Sequence, residues 1–128
     1  MPIVTIKRRE GVVKSALIAR LLNELPDAVA KALTSDNDDG RLEARDVEIE
    51  VVKMSPDVHS RFNLQILVEI DLSLSPHLSL SPQAILERRT HRIAAKIREL
   101  VNQVYKEGDT RPKAYVWVKL TPGCQVEI

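Results

Sequence analysis

The stretch MPIVTIKRREG sets a proline directly after Met1, at the head of a short alternating run. Loss of Met1 would leave Pro2 with a secondary amine at the chain terminus, a base that no other residue type provides. An ordinary α-amino group titrates near about 8, and burial or neighbouring cations lower that value because both disfavour the charged form. The structural alternative is that Pro2 merely starts a strand, one of the few strand positions where a missing N–H costs nothing. His59, His77 and His91 show no metal-ligand spacing and no partner nucleophile, so they are read as loop or surface residues. Arg88, Arg92 and Lys96 recur every four residues and form a basic stripe. Such a stripe could touch phosphates, and more often it is a solvated helix face.

Composition narrows the field. The 128 residues are 44% hydrophobic, which suits one globular domain spanning 1–128. The 19 basic and 18 acidic residues leave a net charge of +1, so no global field steers the chain to nucleic acid or an anionic membrane. Cys124 is the single cysteine, which excludes an internal disulfide and a cysteine-based metal cluster. With no long apolar run and no basic-then-apolar leader, a cytoplasmic protein without a membrane span is expected. No cofactor or metal is called for.

These residues need elements to position them. Pro2, Val4 and Ile6 alternate with Ile3, Thr5 and Lys7, the period of a strand over 2–7. Leu17, Leu21, Leu25, Val29 and Leu33 then recur every four residues within a helix over 12–33, which Pro26 should kink or divide into two. SDNDDGR, 35–41, is turn chemistry. Strands are predicted over 47–53 and 63–72, the second with Leu64, Ile66, Val68, Ile70 and Leu72 on one face. Ser81 and Pro82 open a second helix whose stripe runs through Leu86, Ile93, Ile97, Leu100 and Val104. KAYVWVKL, 113–120, is strand-forming, and a short last strand is expected over 125–128.

The order β-α-β-β-α-β divides the chain into two similar units, about 2–54 and 63–128. Right-handed crossovers would lay them side by side in one mixed sheet with both helices on one face, an α+β fold. Leu67 and Trp117 would then lie on the uncovered face, which favours a contact with another subunit.

Pro2, a strand, and Glu10-Gly11 before a helix resemble the tautomerase superfamily, whose larger members carry two β-α-β units. The resemblance implies a catalytic Pro2 acting as general base in keto–enol proton transfer on a small keto or enol acid, in a homo-oligomer of which a trimer is favoured. It also implies cations that bind substrate carboxylate and stabilise the enolate. The position after Gly11, an arginine in the family, is Val12 here, and the second family arginine falls at Glu48. Arg8, Arg9 and Arg61 are the replacements expected, with Phe62 as an apolar wall. Catalysis could also have been lost while the fold was kept.

A different class of function fits the same element order: a ferredoxin-like binding module, for RNA or for regulation, without catalysis. RNA binders of that kind stack bases on aromatic residues of central strands. With one Trp, two Tyr and one Phe in the chain, nucleic acid is not the partner expected.

Overall fold

The computed structural model describes residues 2–34, 42–54, 65–72 and 83–119. Four strands form one sheet: β1 (Ile3–Arg9), β2 (Glu48–Met54), β3 (Ile66–Asp71) and β4 (Ala114–Lys119). Their spatial order is β2-β1-β3-β4. β1 pairs parallel with β2 and antiparallel with β3, and β3 pairs parallel with β4. Helices α1 (Ser15–Leu33) and α2 (Gln83–Val104) supply the two crossovers. The mixed sheet and the two units match the architecture expected from the sequence. The predicted strand over 125–128 lies outside the described residues.

Strand adjacency decides between the two topologies that share this element order. In the split arrangement of ferredoxin-like modules another strand lies between the parallel pair. Here β1 and β2 are hydrogen-bonded neighbours in register from Ile3↔Glu48 to Arg9↔Met54. The ferredoxin-like reading is therefore corrected.

Alternation assigns the two sheet faces. Val4, Ile6, Ile66, Val68 and Ile70 are fully buried, together with Leu17, Leu21, Leu25 and Leu33 of α1 and Ile93 and Leu100 of α2. One hydrophobic core thus fills the space between sheet and helices. The opposite face carries Ile3, Thr5 and Lys7 from β1, Leu67 and Glu69 from β3, and Tyr115 and Trp117 from β4.

α1 starts at Ser15 rather than at Val12 because Gly11 first turns the chain with φ +79, a conformation that a side chain would strain. No side chain caps this end; instead Lys14 N–H donates to the Tyr105 hydroxyl at 3.0 Å. Lys14 Nζ also lies 4.6 Å from the centre of the Tyr105 ring and 3.0 Å from Asp109 Oδ2. The start of α1 is thereby tied to the turn that ends α2. Pro26 does not divide α1, which continues to Leu33. Its missing N–H would have served the carbonyl of Leu22, a residue 41% exposed, where water can take that place.

Candidate active site

Pro2 is buried and stands one residue before β1. Its carbonyl accepts the Glu48 N–H at 3.0 Å, which extends the β1–β2 ladder by one bond and fixes the residue without needing an N–H of its own. At this end of the sheet Ile3 faces Glu48 on one side and Asp71 on the other.

Arg8 and Arg9 are not brought to Pro2 within the chain. Arg8 lies six steps of extended chain beyond Pro2, ~20 Å at about 3.3 Å per residue. Arg8 follows the core-facing alternation, opposite Lys53 and Ile66, and its buried Nε has no hydrogen-bond partner among the described residues. Arg9 pairs with Met54, and its N–H donates to the Gln65 carbonyl at 2.9 Å. Arg61 and Phe62 lie outside the described residues.

Among the described residues the strand order carries Lys119 to the Pro2 end, a cation that the sequence reading missed. It sits opposite Asp71, which in turn sits opposite Ile3, so two strand spacings separate it from β1, ~10 Å. Lys119 Nζ lies 2.9 Å from Glu69 Oε2 and 5.1 Å from the centre of the Trp117 ring. Glu69 is bound from the other side by Lys7 Nζ at 3.1 Å. A charged ladder, Lys7–Glu69–Lys119, thus crosses three strands of the face opposite the two described helices.

Burial raises the Glu69 pKa, but the two lysine hydrogen bonds and charges outweigh it, and the carboxyl stays below its ordinary value. A depressed carboxylate stabilises the fold fully above its unfolded pKa, about 4.3, and that contribution fades as pH falls through the lower folded value. Glu69→Gln is expected to cost about 1–2 kcal/mol near neutral pH, since both lysines stay partly wet. Urea midpoints of the two proteins should converge as pH is lowered from about 5. A gap independent of pH would show that the charge is not what Glu69 contributes.

Elsewhere the basic stripe is partly consumed by structure. Lys96 Nζ reaches Glu24 of α1 at 3.4 Å and Glu99 at 3.6 Å, while Arg88 and Arg92 are exposed. Burial raises the Glu24 pKa, but Arg20 and Lys96 hold it below the ordinary carboxylate value. His91 is exposed on α2, and His59, His77 and Cys124 lie outside the described residues. Among the described residues no group of three or more His, Cys, Asp or Glu could hold a metal, and no helix is long and apolar enough to cross a membrane.

No protein-family model and no curated protein matches the chain. Solved structures do. A 5-carboxymethyl-2-hydroxymuconate delta-isomerase superposes with a TM-score of 0.66 at 11% identity, covering 100% of this chain and 86% of that one. A fused wild-type 4-OT, solved as a symmetric trimer, gives 0.60 at 14% identity over 98% of this chain and 90% of its own. Pt0534, inactivated by 2-oxo-3-pentynoate, gives 0.55 at 15% identity over 91% of this chain and 84% of its own. These likenesses concern shape along nearly the whole chain. Two β-α-β units in one mixed sheet, with Pro2 buried at the start of a central strand, give this chain the tautomerase-like fold.

Proposed function

We propose that this chain is a tautomerase-like protein whose Pro2 nitrogen, freed by loss of Met1, moves a proton between carbon and oxygen of a small keto or enol acid. The observation that carries this reading is the burial of Pro2 at the head of β1 in a fold shared with a structure described as an isomerase. A buried amine favours its neutral form, because a cation is costly away from water. The neutral nitrogen takes the proton from the enol hydroxyl or from the carbon beside the carbonyl. The same nitrogen then returns it to the other atom, with a nearby cation stabilising the enolate in between.

The ~20 Å between Pro2 and Arg8 sets the condition for such a site. Carboxylate-binding cations from Arg8 or Arg9 would reach Pro2 from a second copy set head to tail, in a ring that closes as a trimer, and Arg61 and Phe62 are the further cation and the apolar wall in this reading. Lys119 is a cation that this chain itself places at the Pro2 end of the sheet. The uncovered sheet face supports association, since Val52 is 41%, Tyr115 49% and Trp117 56% exposed there.

The deciding experiment compares two forms of the protein, one lacking Met1 by mass and one whose short N-terminal extension keeps the Pro2 nitrogen in an amide. The free form is expected to ketonise phenylpyruvate or 2-hydroxymuconate and the capped form not to. Equal rates, or no rate from either, would overturn the catalytic reading.

A further inference from the structure

A groove runs along the outer edge of the described sheet, between α2 and β4, at a place unrelated to Pro2. Its main part measures about 530 Å³, inside the roughly 300–1,000 Å³ range of small-molecule sites. Ile97 and Val101, both almost fully buried, form the floor on the helix side, and Val116 forms it on the strand side. Arg98, Arg111 and His91 stand at the rim. A second hollow of about 330 Å³ continues from the shared residues Thr90, His91 and Val116 toward Trp117.

The main part of the groove has no acidic residue in its lining, and the acidic residue lining the second hollow is Glu87. Residues three and four positions from Arg98 on α2 are Ala94, Ala95, Val101 and Asn102, none of them acidic. No ion pair forms on Arg98 among the described residues. Arg111 feels Asp109, yet that carboxylate already accepts hydrogen bonds from the Lys106 N–H at 2.9 Å and Lys14 Nζ at 3.0 Å. Two guanidinium groups therefore overlook an apolar trough. Planar donor forks of this kind match a carboxylate, and the trough accommodates a hydrocarbon body.

We propose that this groove binds an amphipathic carboxylate, an aryl or branched-alkyl acid whose anionic head lies between Arg98 and Arg111 and whose body covers Ile97, Val101 and Val116. The site is separate from the Pro2 chemistry and stands without it. Both arginines are exposed on the surface, so their removal leaves the core intact.

The probe is 3-phenylpropionate, titrated into the full chain while methyl resonances of Ile97, Val101 and Val116 and the fluorescence of Trp117, the single tryptophan, are followed. Saturable shifts of these methyls are expected, with Kd raised about tenfold by Arg98→Ala and by Arg111→Ala. Propionate, which lacks the body, and 3-phenylpropylamine, which reverses the head charge, should bind at least about tenfold more weakly. Pro2→Ala should leave Kd unchanged. Absence of saturable shifts, equal binding of the amine, indifference to both arginine substitutions, or loss of binding in Pro2→Ala would each overturn the assignment.

Discussion

Pro2→Ala is expected to slow ketonisation of phenylpyruvate or 2-hydroxymuconate by about 10²–10⁴-fold, the usual share of a positioned general base. Alanine leaves an amine at the same chain position, but a primary one on a more flexible terminus. The bond that anchors Pro2, from the Glu48 N–H, is made by its carbonyl and survives the change. Losing the ring from a buried position should therefore cost only about 1 kcal/mol of stability, too little to unfold a domain of this size at 25 °C. Because substrate carboxylate would be held by cations elsewhere, the loss should fall on kcat far more than on KM. An unchanged kcat, measured on protein whose urea midpoint has barely moved and whose mass confirms loss of Met1, would remove Pro2 from the chemistry.

The elements were legible because their periods are clean. Val4 and Ile6, and Ile66, Val68 and Ile70, alternate in sequence and are buried in the structure, and the four-residue leucine stripe of α1 is the buried face of one helix. The order of the strands was not legible. Nothing in the two runs says that β1 takes β3 as its antiparallel neighbour, since that choice rests on contacts between residues 58 to 68 positions apart. The candidate site suffered from the same blindness. Arg8 and Arg9 are close to Pro2 in number, but an extended strand advances about 3.3 Å per residue and carries them to the far end of the sheet. Lys119 is distant in number and arrives two strands from β1. Glu69 offered the one usable signal: a carboxylate between Val68 and Ile70 in a run otherwise apolar must find cations or remain solvated, and its partners come from β1 and β4.

That geometry also separates what holds the fold from what could carry chemistry. The open face, with its charged ladder and exposed aromatics, could be altered in sign or shape while the core keeps its packing. The core has no such tolerance, because Val4 and Ile6 of β1 and the leucines of α1 pack in one cluster that water does not reach. A substitution there tests whether the sheet end carrying Pro2 depends on the helix above it.

Leu21→Ala should lower unfolding free energy by about 2–5 kcal/mol, a large part of the stability of a domain this small. Leu21 is fully buried in the middle of α1, in the same core cluster as Val4, Ile6, Leu17 and Leu25. Truncation removes three carbons from a packed site whose neighbours lie on a hydrogen-bonded sheet and on a second helix, so the void can collapse only in part. Helix propensity acts in the opposite direction and is worth only a few tenths of a kcal/mol. Leu22→Ala makes the same chemical change one residue on, at a position 41% exposed, and should cost about 0.5 kcal/mol or less. Urea unfolding of the pair measures the orientation of α1 directly. If the two variants lost equal stability, the leucine stripe would not be the surface that α1 turns to the sheet, and the packing that buries Pro2 at the start of β1 would have to be redrawn.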